Sequence, residues 1–193
     1  MTLIAGWDTE TTGLQPGDHR FVEVAILTYE LESERLVDTY VTKVDPQRSI
    51  PADVRRIHGI GPNDIVGCPT WSEVAEEVRR RLEEPVFTVA HNGEGFDLPF
   101  MNYELGRMRL PALTKPVLDT MLRGRFATPN GAVPNLGVFC AALGIDYDPS
   151  QAHRAEYDVD VMMRAFFNAR RWRAFKDPDL DFLYPAQEIS LAA

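Results

Sequence analysis

The order of strand and helix patterns constrains this chain more than any other feature. Three strand-like runs come first. They are Leu3 to Trp7, stopping at Asp8; Phe21 to Tyr29, with Val22, Val24, Ile26 and Thr28; and Leu36 to Val44, with Thr39, Tyr40, Val41 and Thr42. β-Branched and aromatic residues in partial alternation suit a pleated, half-buried surface. Gly13 to Asp18, with Pro16 and Gly17, reads as the loop between the first two runs, and Glu32-Ser33-Glu34 as the turn of a hairpin formed by the second and third. After Pro46 the pattern changes, and short strands near 86–90 and 117–118 are separated by helices. Consecutive strands followed by strands alternating with helices predict an α/β fold with a mixed sheet and helices against it.

Local signals bound the helices. Pro51-Ala52-Asp53 opens a short helix that Gly59 ends. Thr70 is the expected N-cap of a helix to Leu82, with Glu73 completing a capping box and Trp71, Val74, Val78 and Leu82 forming one apolar stripe. The next helix opens at Gly95 and runs to Met108, with Pro99 tolerable only in its first turn. Asn135 caps a helix through Leu143, ended by Gly144. The last helix is expected over Ala155 to Phe175, with Val161, Ala165, Phe166, Ala169 and Trp172 at core spacing. Residues 1–176 read as one domain, and the tail 177–193, with Leu180, Phe182, Leu183 and Tyr184, is expected to pack on it or dock a partner.

Bulk properties exclude several classes. A chain of 193 residues suffices for one domain with a real core. Cys68 and Cys140 form no CxxC pair, which argues against structural zinc and for reduced thiols. With no basic leader and no long apolar stretch, neither a signal peptide nor a membrane span is expected, and the cytoplasm is the default compartment. A net charge of −9 argues against a nonspecific nucleic-acid binder, which needs a positive field. Carboxylates clustered around divalent cations would escape that argument, because the ions neutralise them. The basic groups Arg107, Arg109, Lys115, Arg123 and Arg125, and Arg170, Arg171, Arg173 and Lys176, read either as solvated faces or as a phosphate-contacting rim.

The carboxylates carry the chemistry. Asp8 and Glu10 stand two apart at the end of the first apolar strand, so period-two geometry points both to one face. Two like charges held together are costly unless something positive sits between them, and a divalent cation answers that need. Asp97 and Asp158 each lie in the first turn of a helix, where an acid is also favourable for the helix alone. His153, five residues before Asp158, is suited to general-base work or is a surface residue before a helix. His58 and His91 belong to no metal-ligand pattern.

Asp8-Thr9-Glu10-Thr11-Thr12-Gly13-Leu14 resembles the first motif of the DEDDh exonucleases, a family that includes bacterial proofreading exonucleases, ribonuclease T and oligoribonuclease. His91-Asn92-Gly93-Glu94-Gly95-Phe96-Asp97 resembles the second motif, and His153-Arg154-Ala155-Glu156-Tyr157-Asp158 the third. His58-Gly59-Ile60 and Leu118-Asp119-Thr120 match landmarks between them, so the resemblance covers about residues 3–170. One departure is the three residues Gly93-Glu94-Gly95 between His-Asn and Phe-Asp, where proofreading subunits usually have two. That spacing is more similar to the three-prime repair exonucleases of animals.

The resemblance implies a ribonuclease H-like fold, whose five-stranded mixed sheet has its first three strands antiparallel. It implies that Asp8, Glu10, Asp97 and Asp158 hold two Mg²⁺ or Mn²⁺ ions, Asp97 through water in one version, and that His153 deprotonates the attacking water. It also implies that the backbone at Glu10 and Thr11 meets the terminal sugar, Leu14 packs on the terminal base, and Asn92 fixes the site loop. The expected activity is 3′-to-5′ hydrolysis of DNA ends to nucleoside 5′-monophosphates. The alternatives are an exoribonuclease, a proofreading subunit bound to a polymerase, and, in a different class, a binding module that keeps the fold. Monomer and homodimer stay open.

Overall fold

The computed structural model describes residues 1–176, 180, 183 and 184. β1 (Leu3–Thr11), β2 (Phe21–Glu30), β3 (Leu36–Lys43), β4 (Phe87–Ala90) and β5 (Val117–Asp119) form one sheet in the order β3-β2-β1-β4-β5. β1, β2 and β3 are antiparallel neighbours, whereas β4 runs parallel to both β1 and β5. This is the mixed ribonuclease H-like sheet that the motifs implied. The helices are α1 (Ala52–His58), α2 (Trp71–Glu83), α3 (Leu98–Arg107), α4 (Thr120–Arg123), α5 (Leu136–Ala142) and α6 (Ala155–Arg171). Among the described residues, no helix is long and apolar enough to cross a membrane.

Alternation along β1 divides the core into two layers. Ile4 faces α6 with Ala25, Val159, Met163 and Phe166. Ala5 and Trp7 face α2 and α3 with Val24, Val78, Phe100 and Leu105. Asp8 and Glu10 therefore continue the α6 face, and Thr9 the opposite one. Gly6 lets α6 cross β1 closely, because a Cβ there would lie 2.4 Å from Met163 Cγ.

β1 runs to Thr11 and does not stop at Asp8, so Asp8 and Glu10 lie inside a strand. The antiparallel ladder to β2 sustains it, pairing Asp8 with Ala25 and Glu10 with Glu23. The parallel ladder to β4 pairs only Ile4, Ala5 and Gly6. Beyond Gly6 one edge of β1 is open, which makes a crevice at the carboxyl ends of the parallel strands.

Two helix expectations need correction. The stretch from Gly95 begins inside a π-helical turn, Gly93–Asp97, and the α-helix starts only at Leu98. A π turn absorbs one additional residue within a helix, which accounts for the extra residue of the second motif. The last helix ends at Arg171, not Phe175. Arg173 adopts φ 50°, and Ala174 N–H bonds Ala169 C=O at 2.9 Å while Arg173 N–H bonds Arg170 C=O at 3.0 Å. This Schellman pattern stops the helix without glycine and turns Phe175 into the core. Leu180 and Leu183 are buried in the same layer, and Arg170 Nε donates to Leu183 C=O at 2.8 Å. Phe182, also named in the tail, lies outside the described residues.

Candidate active site

A cavity of about 600 Å³ opens where β1 and β4 part. All eight site residues expected from the motifs line it: Asp8, Glu10, Thr11, Leu14, Asn92, Asp97, His153 and Asp158. The four acids arrive by three routes. β1 supplies Asp8 and Glu10 by alternation. The π turn delivers Asp97, whose Oδ1 accepts the Thr9 hydroxyl at 2.6 Å. The first turn of α6 delivers Asp158, whose Oδ2 accepts the His153 N–H at 2.8 Å and whose Oδ1 lies 3.4 Å from the Tyr147 hydroxyl.

His153 is exposed, with φ 61°. A non-glycine residue in the left-handed region is uncommon and marks a backbone position fixed by its surroundings. Here the surrounding is the Asp158 carboxylate, which holds the His153 amide. Ligating atoms of Glu10, His153 and Asp158 lie within 4.8 Å of one another, so this group could hold a metal ion.

The electrostatics of the four acids are those of a cluster short of positive charge. Burial, then Asp97, Glu10 and Asp158, push the Asp8 carboxyl well above its ordinary value, against an opposing hydrogen bond from the Thr9 backbone. Burial, then Asp158, Glu23 and Asp97, push Glu10 up to about 9. Burial raises Asp97 to about 7 despite the hydrogen bonds from Thr9. Asp158 is raised by burial and partly restored by the hydrogen bond from His153. Oxygen donors in this setting match the preferences of hard divalent cations.

Several residues in or behind the site escaped the sequence reading. Asp119 had appeared only as a landmark, yet it is fully buried and accepts backbone N–H groups of Asn92, Glu94, Met121 and Leu122 at 2.9–3.2 Å. It thus fastens the loop that carries Asp97. Gly95 allows the same loop to close, because a Cβ there would lie 2.6 Å from Asn92 Oδ1. His58 and His91, given no role from spacing, both line the cavity. Burial favours their neutral forms, lowering His91 to about 4 and His58 below its usual value. His58 accepts the Ile60 N–H through Nδ1 at 3.0 Å, and His91 Nδ1 lies 3.0 Å from the Thr120 hydroxyl. Ile57 and Val54 of α1, with Met121 and Leu136, give the cavity an apolar wall that no motif announced. Their faces depend on how α1, α4 and α5 pack, so spacing carried no signal for them. Asp160, two residues beyond Asp158 on α6, pairs with Arg164 at 3.5 Å.

The chain is 30% identical over 161 residues to a PolC-type DNA polymerase III of Mycoplasma genitalium, covering 83% of this chain and 11% of that protein. It is 32% identical over 165 residues to the DNA polymerase III subunit epsilon of Treponema pallidum, covering 83% of this chain and 73% of that one. The chain therefore spans about a tenth of the first relative and nearly three quarters of the second. Escherichia coli exonuclease I, solved in complex with a dT13 oligonucleotide, has the same fold, with a TM-score of 0.77 at 16% identity over 91% of this chain and 43% of that one. The family model described as "Exonuclease" matches residues 6–166. The chain therefore belongs to the exonuclease family, as an enzyme of its DEDDh, 3′-to-5′ type on a ribonuclease H-like fold.

Proposed function

We propose that this protein removes nucleotides one at a time from the 3′ ends of DNA, with two Mg²⁺ or Mn²⁺ ions held by Asp8, Glu10, Asp97 and Asp158. The observation that carries this reading is the convergence of these four carboxylates and His153 on one cavity. The donor set fits the ions, since the acids are hard oxygen ligands whose burial raises their pKa values for want of positive charge. When bound, the ions supply neutralisation of the negative charge that builds on the phosphate and the departing 3′ oxygen.

The chain's own groups do the rest. His153, at the cavity mouth, takes the proton of the attacking water, and its amide tie to Asp158 fixes where the ring can reach. Leu14 is 73% exposed, so its apolar side chain is free to lie against the terminal base. Contacts of that kind read the end of a strand and tolerate any base. Thr11 shapes the turn that presents Leu14, donating its hydroxyl to Gly13 C=O at 2.7 Å. Asn92, held through its N–H by Asp119, fixes the site loop, and the backbone at Glu10 and Thr11 meets the terminal sugar. The hydrolysis releases nucleoside 5′-monophosphates. Residues 1–176 form the exonuclease domain, and Leu180 and Leu183 pack into its core. DNA is favoured over RNA because the named relatives are DNA polymerase III proteins and the solved homologue holds an oligodeoxythymidine. Those names also support a polymerase as partner.

The test uses 5′-labelled single-stranded DNA, duplex DNA, DNA with a mismatched 3′ end, and single-stranded RNA, each with Mg²⁺ or Mn²⁺. A ladder shortening from the 3′ end, abolished by EDTA and by Asp8→Ala, is expected. His153→Ala should lower turnover by about 10²–10⁴-fold. A folded, metal-binding protein that shortens none of the substrates overturns the reading, and faster decay of RNA than of DNA overturns the substrate preference.

A further inference from the structure

Glu23 stands directly opposite Glu10 in the β1–β2 ladder and opposite Lys43 in the β2–β3 ladder. Like charges facing each other across strands destabilise a sheet, so a carboxylate at this position calls for a compensating contact. Lys43 and Arg154 supply opposite charge, and a hydrogen bond comes from a point 132 residues away, where the Ala155 N–H donates to Glu23 Oε2 at 3.2 Å. Ala155 is the first residue of α6, and its amide is one of the helix donors with no partner inside the helix. The N-cap position is Arg154, whose side chain makes no capping bond, so α6 lacks a cap of its own. A negative group there also meets the positive end of the helix dipole.

We infer that Glu23 is a positioning residue that caps α6 from β2 and so sets the start of that helix, with Asp158 in its first turn and His153 just before it, against Glu10. The consequence is specific to one half of the site. Asp8 and Asp97 are placed by β1 and the π turn, and neither depends on this bond. The amide oxygen of glutamine can accept the same N–H, whereas methionine fills the volume and accepts nothing.

This inference rests on the exonuclease reading for its activity readout, but two other readouts are independent of it. Glu23→Met and Glu23→Gln are compared with wild type for kcat and KM on a single-stranded oligonucleotide and for Mn²⁺ affinity by calorimetry. Exchange of the Ala155 amide is followed in the wild type by NMR. Glu23→Met is expected to lower kcat and Mn²⁺ affinity by about 10–100-fold, as loss of a supporting hydrogen bond does at metal sites, with KM little changed. Glu23→Gln should restore both to within about threefold. The Ala155 amide should exchange far more slowly than a free one. Wild-type-like behaviour of Glu23→Met, or equal damage by Gln and Met, overturns the inference. So does an Ala155 amide that exchanges like a free one, a result that stands even if Glu23→Met does not fold. An inactive wild type refutes the exonuclease reading, while Mn²⁺ affinity and exchange still decide the role of Glu23.

Discussion

Helix α2 and the carboxylate cavity hold the same residue type under opposite conditions. On α2, Glu77 accepts from Arg80 at 2.8–2.9 Å and from Arg81 at 2.6 Å. The hydrogen bond from Arg80 foremost holds its carboxyl down at about 2. In the cavity, burial and neighbouring acids push Glu10 up to about 9. An exposed acid beside a guanidinium is already balanced, and its removal changes little. A buried group of acids without a cation is unbalanced, and the missing charge has to come from outside the chain. The −9 net charge therefore says less than its distribution does.

The contrast can be broken most sharply at Asp8. Asp8→Asn is expected to cut kcat about a thousandfold or more, equivalent to ~4 kcal/mol. The same change should raise the melting temperature in EDTA, because it removes a charge from the cluster. Activity at the wild-type level would detach the cavity from the chemistry. Thr9 tests whether acid placement matters as well as charge. Thr9→Val removes the 2.6 Å bond to Asp97 and should weaken Mn²⁺ binding about tenfold, with Thr9→Ser near wild type. Equal calorimetric affinities for the two variants would remove Thr9 from the site.

Titration sharpens the contrast in the metal-free protein. A carboxyl raised by folding binds its proton more tightly in the folded state. Stability in EDTA should therefore fall as pH rises from the ordinary 4.5 toward about 9, the window set by Glu10. Saturating Mn²⁺ should flatten that decline, because the ion competes with protons for the same oxygens. Thermal denaturation across this range with and without metal reads the difference, and a flat profile in EDTA would contradict the charge imbalance. The smallest effect is expected on α2. Glu77→Gln should leave activity unchanged and cost roughly 0.2–1 kcal/mol of stability, measured by urea denaturation.

Much of the fold was legible because its signals are local. Thr70 and Glu73 bond as a helix start requires, with Glu73 accepting the Thr70 N–H at 2.7 Å. Asn135 accepts the Val138 N–H at 2.9 Å, and Gly59 and Gly144 take the left-handed conformation that ends a helix. The misread boundaries are those fixed by pairing and packing. β1 is lengthened by its ladder to β2, and α6 is shortened by a turn at an arginine that no propensity favours. The departure in the second motif was visible as a count of residues, but its structural form as a π turn was not.

The sequence by itself determined that Asp8 and Glu10 share one face of β1 and that Asp158 lies in the first turn of a helix, because alternation and first-turn position follow from neighbouring residues, whereas Asp97 reaches the cavity through a π turn held by Thr9. Tertiary structure alone decided what surrounds them. Asp119 became a clamp because β5 runs beside β4, and Glu23 became a cap because α6 packs on β2. His58 and His91 became cavity walls because α1 and β4 end at the same place. The physical reason is range. Side-chain direction follows from the dihedrals of neighbouring residues, whereas hydrogen-bond partners and burial depend on segments that only folding brings together.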